Sequence, residues 1–337
     1  MNIVANVPGT GRDIKAAWKA AGLVPLWESP TAHKPNNGPA RAQHWKWEEI
    51  RPLVVEAMKE QSPAAVERRV LLLVNPDNAY VEDESTVRNI AAAIQILMPG
   101  EKARPHRHSM SALRLVLEGE GAVTVVDGKA CVMSEGDLVL TPGWCWHEHE
   151  HKGDQPIIWL DVLDVPLHQA MGTTAFQPGP AVNVPAHLND DSLEIGGVVP
   201  VTEFSGHEYS ARFRYPRDDV SNALNSAPAL SDGNKRVRYS NPLTGGPVMP
   251  LLDIGVIELY EAKQTKPEGS NANAVFCVLE GMGRTVTSHG AIGWKRNDVF
   301  CVPQGNTITH TALSETAKLF TVSDKEVYAR LGLLQNV

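Results

Sequence analysis

Hydrophobic and polar positions change character along this chain. From Arg69 onward, short apolar runs alternate with glycine and proline: RVLLLVN (69–75), AIQILMPG (93–100), ALRLVLEG (112–119), GAVTVVDG (121–128), GDLVLTPG (136–143) and PIIWLDVLDVP (156–166). Runs of this length between turn residues predict the strands of an antiparallel barrel or sandwich. Upstream, residues 12–22 and 44–60 have helix-forming composition, with Pro52 expected near the start of the second helix or breaking it. Residues 166–245 are rich in Pro, Asn, Asp and Ser and read as a long connection with few regular elements.

The strand pattern then returns as a copy. KPEGSNANAVFCVLEGMG (266–283) aligns without a gap under RPHRHSMSALRLVLEGEG (104–121), and NDVFCVP (297–303) under GDLVLTP (136–142), with one residue fewer between the blocks. Two copies of one β domain follow. The expected division is an N-terminal helical segment packed on the β domains (1–66), a first β domain (67–165), a connecting segment (166–245) and a second β domain (246–337). The copies differ where the first is most unusual: His106 faces Glu268, His108 faces Ser270 and His147 faces Ile308. The scaffold therefore does not require these three histidines.

Composition narrows the function. The 337 residues leave room for two domains, and the net charge of −8 comes without a Lys/Arg-rich tract, so nucleic acid is not an expected partner. No run reaches the ~18 apolar residues of a membrane helix, and MNIVANVPGTGRDIK lacks a secretory signal's build, so a cytoplasmic protein is expected. Cys131, Cys145, Cys277 and Cys301 are widely spaced and suggest free or buried thiols.

Against that background the stretch PHRHSMSALRLVLEG (105–119) carries chemistry. Residues i and i+2 of a strand point the same way, so His106 and His108 can aim two imidazoles at one point. His147, after the proline turn of PGWCWHEHEH (142–151), can bring a third. Three neutral imidazoles suit Fe(II), Zn(II), Cu(II) or Ni(II) and leave open positions, as a catalytic metal requires.

The segments PGEKARPHRHSMSALRLVLEGEG (99–121) and GDLVLTPGWCWHEH (136–149) resemble the two metal-binding motifs of the cupin superfamily. The glutamate usual in the first motif is missing, its place held by Ala112 and Leu113, and Trp144 stands where the second motif has glycine. With RRVLLLVNP (68–76) and the helical N-terminus, these departures resemble the gentisate 1,2-dioxygenase family, which includes salicylate and 1-hydroxy-2-naphthoate dioxygenases. The resemblance implies an all-β dominated bicupin: two antiparallel β-barrel (double-stranded β-helix) domains with N-terminal and connecting helices. It also implies Fe(II) on His106, His108 and His147, a second cupin without metal ligands, and a homotetramer. The reaction implied is O2-dependent cleavage of an ortho-hydroxy aromatic acid between its carboxyl-bearing and hydroxyl-bearing carbons. Such an acid offers a carboxylate and a phenolate oxygen to one metal, and holding ring and O2 together supplies proximity.

Further residues follow from parity and from the resemblance. Arg114 lies six residues after His108, faces Phe276 in the copy, and matches a substrate-binding arginine. Trp159 and Gln95 match substrate-side positions; Arg68 and Arg69 begin a strand from which one could reach the substrate, with preference for Arg69. His149 matches a histidine behind the metal ligands. Asp161, costly in so apolar a strand unless paired, is expected to orient a histidine. Arg107 has the opposite parity and should face away; His151 reads as a surface histidine. Trp144 and Trp146 either wall the pocket or pack against the N-terminal helices. Ala91 and Ala93 suggest a roomier pocket, leaving gentisate, salicylate, nitro-, amino- or chlorosalicylate and 1-hydroxy-2-naphthoate open. Two other functions stay open: an O2-independent cupin isomerase or decarboxylase, and a non-catalytic small-molecule-binding bicupin.

Overall fold

Strand alternation sorts the side chains of this protein into three cores. A computed structural model of the chain describes residues 14–28, 40–60, 69–77, 84–194, 198–201 and 208–336. Residues 1–38 form one unit and 39–337 another. The first unit contains the helix Ile14–Ala20 and a short turn of helix, Leu26–Glu28, with Trp18 and Trp27 edge to face at 6.2 Å.

The second unit holds two β domains, each of two antiparallel sheets. In the first, a six-stranded sheet runs Arg214–Tyr215, Leu138–Thr141, Ala112–Glu118, Ile157–Leu163, Ala91–Leu97, Val70–Leu72. It faces a five-stranded sheet of Phe176–Pro178, Lys102–His108, His147–His151, Glu120–Val126 and Lys129–Ser134. The second domain repeats the plan. Its six-stranded sheet is Gln43–Trp45, Val299–Val302, Ala274–Glu280, Thr316–Ser323, Asp253–Tyr260, Lys235–Arg238. Its four-stranded sheet is Glu268–Gly269, Thr307–Ala312, Met282–Thr287, Gly290–Lys295.

Inward residues of the first domain, among them Leu97, Val116, Met133, Val139 and Trp159, form its own core, and Leu259, Phe276, Trp294, Phe300 and Leu319 do so in the second. Residues of the other parity, such as Ile94, Leu113, Leu115 and Leu160, pack with Ile254, Val275, Val299 and Phe320 in a core shared by the two domains. Ala91–Leu97 is therefore buried on both faces, which is why its sequence is apolar apart from Gln95. A Leu→Ala change in this shared core should cost about 2–5 kcal/mol.

The repeated residues are turn chemistry. Gly119 and Gly281 both have positive φ (89° and 76°), and a Cβ would lie 2.4 Å from Pro156 O in one copy and 2.3 Å from Thr316 O in the other. Only glycine fits. Gly136 and Asn297 share the left-handed turn conformation, and the aspartate after each accepts a backbone N–H three residues back, Ser134 at 3.2 Å and Lys295 at 3.0 Å. The copies part at a β-bulge between Glu120 and Ala122, where the first domain holds the extra residue. Strand pairing thus matches Ala122, not Gly121, to Gly283, so the shared final glycine of the gap-free alignment is coincidental.

Segments outside the repeats complete both domains. Gln43–Trp45 adds an edge strand to the second domain, and the helix Trp47–Glu60 follows, continuous through Pro52. Its first residue donates its backbone N–H to Asp298 (2.8 Å) and its indole N–H to Glu118 (2.8 Å), tying the two domains together. The connecting segment is more regular than its composition suggests. It contributes Phe176–Pro178 and Arg214–Tyr215 to the first domain, Lys235–Arg238 to the second, and the helices Val165–Met171 and Arg217–Ser226. All four cysteines are buried and free, and burial raises the Cys131 and Cys301 thiols to about 12. Among the described residues, no helix is long and apolar enough to cross a membrane.

Candidate metal centre

The antiparallel register of Lys102–His108 with His147–His151 sets His106 opposite His147, with His108 two residues along on the same face. The rings of His106 and His147 are 4.2 Å apart between centroids and those of His108 and His147 4.8 Å, and the ligand nitrogens of all three lie within 4.8 Å of one another. All three side chains are buried.

Each Nδ1 meets a backbone carbonyl: Arg104 O at 2.9 Å from His106, Met110 O at 2.7 Å from His108 and Cys145 O at 3.0 Å from His147. A carbonyl only accepts, so each Nδ1 carries the proton and each Nε2 presents a lone pair. For His147, Nε2 is buried and has no hydrogen-bond partner among the described residues. Burial, then the charge of Arg114 and the neighbouring histidines, holds its pKa well below the usual imidazole range, so it is neutral and able to ligate. Three converging nitrogens with fixed tautomers fit a divalent metal.

A row of polar residues crosses the inward face of the six-stranded sheet beside this group. Arg114, Asp161 and Ala93 are consecutive strand partners, as are Val116, Trp159 and Gln95. Arg114 is 1% exposed, donates to Thr141 Oγ1, and its Nε lies 3.3 Å from Asp161 Oδ1. The sequence suggested a histidine as the partner of Asp161; the structure supplies Arg114 as its ion pair, because the two are register neighbours. Gln95 Oε1 and Trp159 Nε1 are buried without hydrogen-bond partners among the described residues, leaving one acceptor and one donor for something else. His149 bridges the two groups of residues, its ring 6.1 Å from that of His147 and 5.5 Å from that of Trp159.

Other candidates are placed differently. The buried Arg69 guanidinium pairs with Glu101, whose carboxylate also accepts the Met98 N–H at 2.8 Å. Arg68 lies outside the described residues. Arg107 does point away from the histidines, its guanidinium 4.6 Å from both the Trp144 and Trp146 ring centroids. These tryptophans clamp an arginine, a role that neither earlier expectation for them includes. Trp144 has a φ of 66°, in the left-handed region that favours glycine, and its N–H reaches His108 O at 2.7 Å. His151 is buried rather than on the surface, with Nε2 on Gln155 O and Nδ1 on the Gly153 N–H. Sequence reasoning missed Phe176, which stacks on His106 at 5.6 Å, because only strand pairing brings it there.

Comparison with known proteins agrees with this arrangement. The family profile described as "Cupin domain" matches residues 93–163. A gentisate 1,2-dioxygenase of Ralstonia sp. is 33% identical, over 96% of this chain and 94% of its own. The chain belongs to the gentisate 1,2-dioxygenase family. A 5-aminosalicylate 1,2-dioxygenase of Comamonas sp. is 32% identical over 93% of this chain and 86% of its own. A salicylate 1,2-dioxygenase of Pseudoaminobacter salicylatoxidans, solved as adducts with gentisate, superposes with a TM-score of 0.88 at 30% identity, over 99% of this chain and 96% of its own.

Within this gentisate dioxygenase family member the second cupin is the counter-example. Its mouth holds a cavity of about 700 Å³ lined in part by Glu268, Ser270, Phe276, Ile308 and His310. By strand register Phe276 and Thr321 stand where Arg114 and Asp161 stand. One histidine does recur, since His310 matches His149 and meets Thr285 as His149 meets Thr124.

Proposed function

We propose that this protein cleaves the ring of a salicylate-type aromatic acid, gentisate or a substituted salicylate, between the carboxyl-bearing and hydroxyl-bearing carbons. His106, His108 and His147 would hold Fe(II). The observation that carries the reading is the convergence of three Nε2 lone pairs beside a buried arginine. When bound, iron supplies a +2 centre on which the substrate's oxygens and O2 can meet.

The remaining roles belong to the chain's own side chains. Arg114, held by Asp161 and Thr141, receives the substrate carboxylate. Asp161 keeps the guanidinium compensated before substrate arrives. Gln95 and Trp159 offer their unused buried acceptor and donor to the ring and its substituents. His149 sits between the histidine group and Trp159 and would orient the substrate or O2. Arg69, its charge shared with Glu101, contributes a second cation at the edge of the same sheet. Ala93, strand partner of Asp161, and Ala91 are small and leave space beside the acid-binding pair, so substituted salicylates are expected as well as gentisate. Four free buried thiols support a reducing cytoplasm, and kinship supports a homotetramer, which sedimentation analysis would test.

The deciding experiment loads the protein with Fe(II) under argon and screens hydroxybenzoates for O2 uptake and ring-opened product. Turnover undiminished without O2 would replace this reading with an isomerase or decarboxylase; binding without turnover would replace it with a small-molecule-binding protein.

A further inference from the structure

The two cupins keep the same threonine–histidine pair but give the threonine opposite third partners. Thr124 Oγ1 is 2.8 Å from His149 Nδ1, and Thr285 Oγ1 is 2.7 Å from His310 Nδ1. Each threonine is the strand partner of its histidine. In the first cupin, Thr124 Oγ1 also lies 3.0 Å from the Met133 sulfur; in the second, the Trp294 indole N–H donates to Thr285 Oγ1 at 2.9 Å. All six side chains are buried.

A hydroxyl has one proton to give, and a buried one is costly to leave unused. Met133 can only accept. The Thr124 hydroxyl donates to the Met133 sulfur at 3.0 Å, so the Thr124 proton points at Met133. His149 must then donate from Nδ1 to Thr124. In the second cupin the Thr285 oxygen is already filled by Trp294, so its proton goes to His310 Nδ1, and His310 carries its own proton on Nε2.

We infer that Met133, acting through Thr124, sets His149 as the Nδ1–H tautomer, so that its Nε2 presents a lone pair to the pocket. Resting on the function proposed above, this makes His149 a hydrogen-bond acceptor for a ring hydroxyl, while Arg114 is the donor for the acid. Met133 and Thr124 are positioning residues, since they act only through His149.

The test is imidazole tautomer assignment by long-range 1H–15N NMR on the metal-free protein at pH 8, where ordinary imidazoles are neutral. His149 is expected with its proton on Nδ1 and His310 with its proton on Nε2. Met133→Leu should move the His149 proton to Nε2 and leave His310 unchanged, which also verifies the fold; Thr124→Ser should keep the wild-type tautomer. In the Fe(II)-loaded enzyme, Met133→Leu should lower kcat about tenfold, the loss of one hydrogen bond of about 1.4 kcal/mol, with iron content unchanged. Finding Nε2–H on His149 in the wild-type protein, or no change in Met133→Leu, would overturn the inference. Failure of the proposed reaction would appear separately, as no O2 uptake by the wild-type enzyme with any acid.

Discussion

The first and second cupins share strand order, the glycine at 119 and 281, the left-handed turn at 136 and 297 and the aspartate that closes it. They differ where side chains enter the barrel mouth. One presents His106, His108, His147, Arg114 and Asp161; the other presents Glu268, Ser270, Ile308, Phe276 and Thr321. Backbone demands were kept in both copies, whereas the buried charge pair and the three converging imidazoles were kept in one. A barrel can therefore drop a buried ion pair and three imidazoles and still fold. In the second cupin an aromatic core does the filling, with Phe276 stacked on Phe300 at 4.8 Å.

The strongest test of that contrast removes the ligands. His106→Ala, His108→Ala and His147→Ala should each abolish stoichiometric iron, read by metal analysis, and cut turnover by more than about a hundredfold, which loss of even an outer partner of a metal can reach. Full activity in any one would strike that residue from the ligand set.

A second test imports the second cupin's pair into the first. Arg114→Leu should retain iron while kcat/KM for carboxylated substrates falls by roughly a hundredfold or more, as when one partner of a buried charge pair is removed. It should also lose about 3–5 kcal/mol in urea unfolding, because Asp161 is left buried beside an apolar side chain. The double change Arg114→Phe with Asp161→Thr should recover much of that stability and none of the activity. Recovery of activity would show that Arg114 is structural.

The reverse graft is expected to be weaker. Glu268→His, Ser270→His and Ile308→His together should raise bound metal above one per chain without a second active centre, since Phe276 and Thr321 still lack the acid-binding charge. Metal content unchanged would mean that the first cupin's backbone carbonyls at 104, 110 and 145, and not its histidines alone, make the site.

The smallest effect concerns the histidine that the copies share. Burial and the charge of Arg236 lower His310 to about 3, against about 6.5 in an unfolded chain. Between those values the unfolded state holds the extra proton, so stability is lost as pH falls through that window. Exchanging His310 for Gln should remove about 2 kcal/mol of the difference between pH 7 and pH 5, measured by urea midpoints. An unchanged slope would show that His310 does not contribute.

Much of the site was legible in advance. His106, His108 and His147 stood out through strand parity and through their absence from the copy, and Arg114 through its even spacing and its replacement by Phe276. Long-range pairing was not legible. The ion pair of Asp161 with Arg114, the Arg107 clamp between two tryptophans, the burial of His151, and Phe176 over His106 all depend on registers between segments remote in sequence. The twin of His149 escaped notice because His310 was hidden behind the loss of the neighbouring ligand at Ile308.

The sequence by itself determined the repeated strand-and-turn plan and the one copy that carries the three converging histidines, because alternation and turn chemistry are local properties of the chain. Tertiary structure alone decided which remote groups meet. The Asp161 partner of Arg114, the Thr124 partner of His149 and the placement of Phe176 over His106 are set by strand register. Each buried hydrogen bond must be satisfied by whatever that register brings within reach.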